Sequence, residues 1–157
     1  MALFHDLIGK GDLKGYRVMA NHGSQEKYDG IYSYRLMFNE IVQYTENALS
    51  LTEDSFNEAG VIEFPPNILE YKYNASSLID DFESDRKSFS DIKLLIWAIG
   101  DDGAYSGASD YRLPEIDPAS VEKQFYGTTH FLKPTSTTGK IHVIILEDVI
   151  NTLVRTN

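Results

Sequence analysis

Two charged residues interrupt an otherwise apolar and aromatic stretch in the middle of the chain. Residues 67–73 (Asn-Ile-Leu-Glu-Tyr-Lys-Tyr) predict a strand, and this strand carries Glu70 and Lys72 two positions apart. Side chains at positions i and i+2 of a strand lie on the same face, so a carboxylate and an ammonium should be neighbours there. The other residues of this strand include Ile, Leu and Tyr, so two charges on one of its faces have little structural reason. The pair is therefore the first candidate for chemistry.

A second carboxylate, Asp29, is expected at the beginning of another strand. Residues 28–36 are rich in aromatic side chains and predict a strand, and Gly30 follows Asp29 directly. Two carboxylates on adjacent strands disfavour each other's ionisation unless a divalent cation bridges them, and hard cations such as Mg²⁺ prefer this oxygen environment. A neighbouring lysine could hold a phosphate oxygen or help to activate water. Asp29, Glu70 and Lys72 therefore indicate metal-assisted phosphodiester hydrolysis.

The same three residues also have a purely structural interpretation. An acidic residue at the start of a strand is commonly a turn residue, which would explain Asp29. Glu70 and Lys72 could form a salt bridge on an edge strand, where such pairs contribute little to stability. Charge spacing alone favours this structural interpretation over catalysis.

The segments around Glu70 and Lys72 predict a strand–helix–strand unit. After the first strand the apolar period changes to that of a helix. The residues that follow this helical spacing are Ala75, Leu78, Ile79, Phe82 and Phe89. Residues 92–99 form a nearly continuous apolar run, which is typical of a buried central strand. A strand, a helix and an apolar strand in this order imply a right-handed parallel crossover.

Two further features bound this unit. Pro65 and Pro66 predict a hard stop that forces extended backbone just before the strand at position 67. The charged residues between positions 80 and 87, which include Asp81 and Lys87, predict a solvated outer face of the helix.

The remaining elements are predicted from hydrophobic spacing and from turn residues. They are a short helix over residues 3–8 that ends at Gly9, a strand over 16–20, a partly helical acidic connection over 37–60, a surface loop over 100–110, a strand at 124–126 or at 130–132, a strand over 140–146 and a helix over 147–154. Together they predict an α/β fold in one domain that spans residues 1–157.

Composition limits the classes of function. The chain of 157 residues contains no cysteine, which excludes disulfides, thiolate metal sites and cysteine nucleophiles. Its apolar runs are shorter than the roughly 20 residues of a membrane-spanning helix, and no signal peptide is evident, so a cytoplasmic protein without a membrane partner is expected. The net charge of −10 argues against a surface that binds nucleic acid non-specifically, because neutralising phosphates needs clustered Lys and Arg.

The order of these features resembles the PD-(D/E)XK nuclease superfamily, which has the restriction-endonuclease-like fold. The resemblance rests on Asp29, then Glu70-Tyr71-Lys72 on a strand after proline, then a crossover helix and a hydrophobic strand, and it covers roughly residues 3–99. It implies an αβββαβ core with a mixed central sheet flanked by helices. It also implies a magnesium-dependent endonuclease acting on DNA.

The resemblance further implies a role for each residue of the motif. Asp29 and Glu70 would bind Mg²⁺ or Mn²⁺, and the main-chain carbonyl of Tyr71 would be a further ligand. Lys72 would position or polarise the attacking water. The catalytic residues implied for this chain are therefore Asp29, Glu70 and Lys72.

Partners are expected because the basic residues near the motif are scattered. Those available for phosphate contacts are Lys10, Lys14, Arg17, Lys27 and Arg35. They are too few for a basic groove, so DNA binding should depend on a second copy in a homodimer, on a fused module or on a protein partner. The alternative function is a catalytically inactive nuclease-like scaffold that serves as an acidic protein-interaction module.

Overall fold

A mixed sheet of seven strands organises the part of the chain that the computed structural model describes, namely residues 1–22, 26–41, 45–73, 76–99 and 110–156. The helices are α1 (Ala2–Lys10), α2 (Ser76–Glu83) and α3 (Leu146–Thr156). The strands are β1 (Tyr16–Asn21), β2 (Gly30–Met37), β3 (Val61–Lys72), β4 (Ile92–Trp97), β5 (Tyr111–Arg112), β6 (His130–Pro134) and β7 (Ile141–Ile145). Two short 3-10 helices, Phe38–Glu40 and Glu53–Ser55, lie between β2 and β3.

The strands lie in the order β1-β2-β3-β4-β7-β6-β5. The central strands β3, β4 and β7 are parallel, while β1, β2 and β3 form an antiparallel meander on one side, and β6 and β5 add antiparallel strands on the other. The predicted α/β class with a mixed sheet is confirmed. The carboxyl ends of β3, β4 and β7 meet at one edge of the sheet, and at this edge the amino end of β2 lies beside β3.

Apolar side chains on both faces of the sheet explain why β4 is a continuous apolar run. Leu94 and Ile96 belong to a core that includes residues of α1 and α3, whereas Leu95 and Trp97 belong to a second core that includes residues of α2. Because successive side chains of a strand point to opposite faces, α1 and α3 cover one face and α2 covers the other. The strand is therefore buried from both sides.

Pro65 and Pro66 are extended, as predicted, but the prediction that they end the preceding segment is wrong, because both lie inside β3. The pairing of β2 with β3 changes register between Tyr32 and Tyr34, opposite the proline pair, and β4 pairs with β3 only from Ile68 onward. Prolines are tolerated in strands at a bulge and where no neighbour needs the missing N–H. Both conditions hold here, so one strand begins at Val61 and continues to Lys72.

Other boundaries differ in smaller ways. The first helix continues to Lys10 and ends at Gly11, whose φ of 80° is the left-handed conformation of a glycine end. Of the two strand positions proposed near the carboxyl terminus, residues 130–132 lie in β6, whereas residues 124–126 form no strand. Phe89 lies beyond α2, although its ring contacts Phe82 with centroids 5.7 Å apart. Most of the predicted loop at 100–110 lies outside the described residues.

A glycine close to the aromatic core provides a test of packing. Gly127 has a φ of +84°, and a Cβ atom there would lie 2.3 Å from Cδ2 of the buried Leu13. We expect Gly127→Ala to lower the free energy of unfolding by about 2–4 kcal/mol, because it adds backbone strain and overpacking. Gly9→Ala is the matched control, since nothing lies within 4 Å of its added Cβ.

Urea unfolding of both variants measures the difference. The control lies in α1 and should gain about 0.5–1 kcal/mol from its helical propensity. Equal stability of Gly127→Ala and the wild type would contradict the packing described around Leu13.

Candidate active site

Pairing of β2 with β3 brings Asp29 next to Glu70. Gly30 pairs with Leu69, and the two strands are antiparallel. Asp29, which precedes Gly30, therefore lies opposite Glu70, which follows Leu69. The main-chain N–H of Asp29 donates to Glu70 Oε1 at 3.1 Å, and the N–H of Tyr71 donates to Asp29 Oδ2 at 2.8 Å. Each carboxylate is thus held by the main chain of the opposite strand. Asp29 is not a solvent-facing turn residue.

The glycine after Asp29 permits this arrangement. A Cβ atom at Gly30 would lie 2.8 Å from the carbonyl oxygen of Ala20 on β1, a distance that side chains do not tolerate. Glycine therefore lets β1 and β2 approach each other closely at the point where β2 begins. Substitution of Gly30 would require one of these strands to shift beside Asp29.

Lys72 lies beside Glu70, as the two-residue spacing predicted, but its closest carboxylate is Asp81 on α2. The distance from Lys72 Nζ is 3.8 Å to Glu70 Oε2 and 2.8 Å to Asp81 Oδ2. Burial by itself would lower the pKa of Lys72, but the carboxylate of Asp81 outweighs burial and holds this pKa above its ordinary value. Although burial opposes it, the Lys72 ammonium holds the pKa of Asp81 below its ordinary value.

Asp81 and Lys87 belong to the site although the sequence analysis assigned both to a solvated helix face. That assignment is wrong. Asp81 is buried, and besides Lys72 its carboxylate contacts Arg86 at 3.0 Å. Lys87 Nζ contacts Glu70 Oε2 directly and lies 3.8 Å from Asp81 Oδ2.

Helical spacing could have revealed Asp81, because it lies three positions after Leu78 and directly before Phe82, both of which face the core. No comparable signal identified Lys87. It follows the end of α2, after Asp85 with its positive φ of 55°, and the turn rather than a regular period sets its direction.

Tyr28 connects the segment that carries Lys87 to the segment that carries Asp29. Its hydroxyl donates to the carboxylate of Asp91 and accepts a hydrogen bond of 3.4 Å from the main-chain N–H of Ser88. The Lys87 ammonium lies 6.0 Å from the centre of the Tyr28 ring. The residue that precedes Asp29 thus anchors the turn after α2.

Glu70 is the most buried ionisable group of the site, with 0% of its side chain exposed. Burial and the nearby charge of Asp29 raise its pKa above the ordinary value, while the hydrogen bond from Lys87 opposes this shift. Two ammonium groups, on Lys72 and Lys87, balance two buried carboxylates, on Glu70 and Asp81. Asp29 adds a third carboxylate and Arg86, which contacts Asp81, adds a third cation, so the formal charges of these six side chains sum to zero.

The donor atoms fit a hard divalent cation. In the described part of the chain, no group of three or more His, Asp or Glu side chains is arranged to hold a metal ion. The side-chain donors for a cation are the carboxylates of Asp29 and Glu70, and the main-chain carbonyl of Tyr71 is the third predicted ligand. Mg²⁺ commonly takes one or two protein carboxylates and fills its other positions with water, so this set is sufficient.

Tyr71 itself contributes only main-chain atoms to this site. Its ring lies on the opposite face of the sheet from Glu70 and Lys72, where its hydroxyl is 3.0 Å from Nε2 of His5 on α1. The alternation of strand side chains explains this separation.

The predicted phosphate contacts are scattered in the structure as well. Lys10 is paired with Asp6 at 2.7 Å, and Arg35 lies 3.7 Å from Glu63. A cavity of about 580 Å³ lies elsewhere, and His130 and Asp148 are among its lining residues. None of the three residues of the motif lines this cavity.

None of the described helices is long and apolar enough to cross a membrane. Comparison with known protein families, with curated proteins and with solved structures finds no match for this chain.

Proposed function

We propose that this protein is a metal-dependent nuclease that hydrolyses phosphodiester bonds of DNA through Asp29, Glu70 and Lys72. One observation supports this proposal most directly. The main-chain N–H of Asp29 binds the Glu70 carboxylate and the main-chain N–H of Tyr71 binds the Asp29 carboxylate, so two acidic groups are held side by side, with Lys72 beside Glu70. A strand edge that needed only a salt bridge would not require the second carboxylate.

The order of elements is a second argument. The chain runs α1-β1-β2-β3-α2-β4, and the first four strands are neighbours in the order β1-β2-β3-β4. This is the order of the αβββαβ core of PD-(D/E)XK nucleases, with Asp29 directly before β2 and Glu70-Tyr71-Lys72 at the end of β3. The restriction-endonuclease-like assignment is part of our proposal.

Each residue has a defined task in the proposed reaction. Asp29 and Glu70 would hold the cation, Mg²⁺ or Mn²⁺, and their hydrogen bonds to the main chain fix their positions before it binds. The chemistry supplied by a bound cation would be polarisation of the scissile phosphate, a lower pKa of water and stabilisation of the developing charge. Lys72 would position or polarise the attacking water, or hold a phosphate oxygen, with its positive charge. Because the net charge of the chain is −10, we infer that DNA is bound with a second copy, a fused module or a protein partner.

Nicking of supercoiled plasmid with MgCl₂ or MnCl₂ tests this function. We expect metal-dependent cleavage by the wild type and a loss of about 10²–10³-fold in Lys72→Ala, because one charge that faces the phosphate is removed. Lys93→Ala is the matched control, since Lys93 is exposed on β4 and its ammonium donates to the carbonyl of Ser90. It should cleave like the wild type.

Other outcomes of the same assay count against the proposal. Equal cleavage by the wild type and Lys72→Ala would indicate a contaminating nuclease. Thermal melting of each variant should accompany the assay, so that a loss of cleavage is not confused with unfolding. Lack of cleavage by the wild type at high protein concentration, with either metal, would favour the second candidate.

That second candidate is a catalytically inactive scaffold that acts as an acidic protein-interaction module. The compensated charges of the site favour it, because Lys87 and Lys72 pair with Glu70 and Asp81 as they would in a purely structural cluster. Such a scaffold would bind no divalent cation at Asp29 and Glu70. Metal binding therefore separates the two candidates independently of any substrate.

A further inference from the structure

The two carboxylate oxygens of Glu70 have different partners. Oε1 accepts the main-chain N–H of Asp29, and Oε2 accepts the ammonium of Lys87. Oε1 is engaged in fixing the strands, so Oε2 is the oxygen of Glu70 that a cation would need. A positive charge of the protein already holds it.

Contacts on both sides keep Lys87 in this position. The main-chain N–H groups of Arg86 and Lys87 donate to the carbonyl of Asp81 at 2.9 and 3.1 Å, which fixes the turn to the end of α2. On the other side, Tyr28 binds Asp91 through its hydroxyl. The side chain of Lys87 is only 12% exposed. The contact with Glu70 is therefore part of the packed structure and not a surface ion pair.

We propose that Lys87 sets the cation affinity of the site by occupying Glu70 Oε2, so that a divalent cation binds only when the ammonium moves away. This inference rests on the proposed function, because it assumes that the cation binds Asp29 and Glu70. An ammonium and a divalent cation repel each other and cannot share one oxygen at contact distance. Lys87 thus acts as a built-in competitor, which keeps Glu70 paired while the cation is absent.

Calorimetric titration with MnCl₂ tests the inference without any measurement of cleavage. We expect Lys87→Met to bind Mn²⁺ at least about tenfold more tightly than the wild type, a change in the range seen when groups around metal ligands are altered. Met keeps the unbranched stem of the side chain up to the position of Cε and removes the ammonium group with its charge.

Arg86→Met is the matched control. Arg86 is adjacent in sequence and contacts the same carboxylate of Asp81, but it is largely exposed and forms no ion pair with Glu70. Both variants remove one positive charge from the cluster, but only Lys87 contacts Glu70. Arg86→Met should bind Mn²⁺ like the wild type.

A second variant keeps the charge unchanged and covers the case in which Lys87→Met does not fold. Tyr28→Phe removes the hydroxyl that anchors the turn, and its Mn²⁺ affinity should rise severalfold because Lys87 is less firmly held.

The outcomes separate this inference from the proposed function. Tighter binding by Lys87→Met, with unchanged binding by Arg86→Met, supports it. If the wild type binds Mn²⁺ and neither Lys87→Met nor Tyr28→Phe binds it more tightly, competition by Lys87 is refuted while the proposed function stands. Absence of Mn²⁺ binding in the wild type and in all three variants would overturn both.

Discussion

Asp29→Asn is expected to reduce metal-dependent cleavage by about 10³-fold or more, which corresponds to about 4 kcal/mol of transition-state stabilisation. The substitution removes the negative charge that would hold the cation in the proposed site and leaves an amide oxygen. That oxygen can still accept the hydrogen bond of 2.8 Å from the N–H of Tyr71, so the pairing of β2 with β3 should remain. The free energy of unfolding should therefore change by less than about 1 kcal/mol.

Two measurements are needed, nicking of supercoiled plasmid and calorimetric titration with MnCl₂. The affinity for Mn²⁺ should fall at least about 100-fold, because a direct carboxylate ligand is lost. Glu63→Gln is the matched control, since Glu63 lies on β3, is exposed and contacts Arg35 at 3.7 Å. It should leave both quantities unchanged. Undiminished, metal-dependent cleavage by Asp29→Asn would mean that the cation is held elsewhere in the protein.

The hydrophobic pattern was sufficient to predict most of the sheet. The apolar run of β4 specifies a buried strand because its side chains pack on both faces of the sheet. The apolar stripe of α3 was a weaker guide, since Val149 is buried but Ile150 and Val154 are exposed. Pro65 and Pro66 were misjudged because their effect on a strand is not local. Whether proline ends a strand depends on which side of that strand has a partner, and this is a property of the sheet and not of the segment.

The candidate site was predictable only in part, and the missing part has a common cause. Asp29 and Glu70 were recognised from their places in the order of elements, and the structure brings them together. Asp81 and Lys87 stand in a run of charges that local rules assign to solvent. Burial of such a charge depends on a partner distant in sequence, here Lys72 for Asp81 and Glu70 for Lys87, and a single sequence does not indicate that pairing.

Lys123 is a second charge that the fold places in its interior, and it has no carboxylate partner among the described residues. Its side chain is 1% exposed, and its ammonium donates to the carbonyl of Ala48 at 2.6 Å. Burial lowers the pKa of Lys123 from the ordinary 10.5 to about 7. At acidic pH, folding therefore requires the free energy of removing a charged ammonium from water.

The sign of the resulting pH dependence follows from proton binding. Below pH 7 the lysine is charged in both the folded and the unfolded state, so its desolvation lowers the free energy of unfolding by the full amount. Between about pH 7 and 10.5 the unfolded chain binds a proton that the folded chain does not, and stability therefore rises with pH. At about 1.4 kcal/mol for each pH unit, the total approaches 5 kcal/mol. Above pH 10.5 both states are neutral and the cost disappears.

Lys123→Met is consequently expected to stabilise the protein by about 3–5 kcal/mol at pH 6, since Met fills the same space without a charge. The gain should stay constant up to about pH 7 and then shrink toward pH 10, where little of the cost of the charge is left and the lost hydrogen bond to Ala48 becomes the main difference. Urea unfolding at pH 6, 8 and 10 measures it. The difference between variant and wild type is the informative quantity, because burial raises the pKa values of Tyr16 and Tyr34 and their ionisation destabilises both proteins equally above pH 10.

Lys93→Met provides the control for this titration, because Lys93 is exposed on β4. It should change the free energy of unfolding by less than about 0.5 kcal/mol, with no dependence on pH. A constant difference between Lys123→Met and the wild type from pH 6 to 10 would show that Lys123 keeps an ordinary pKa. Destabilisation at every pH would instead mean that its bond to Ala48 outweighs the desolvation of the charge. The expected decline of this difference with pH would show that the buried charge of Lys123 destabilises the folded protein.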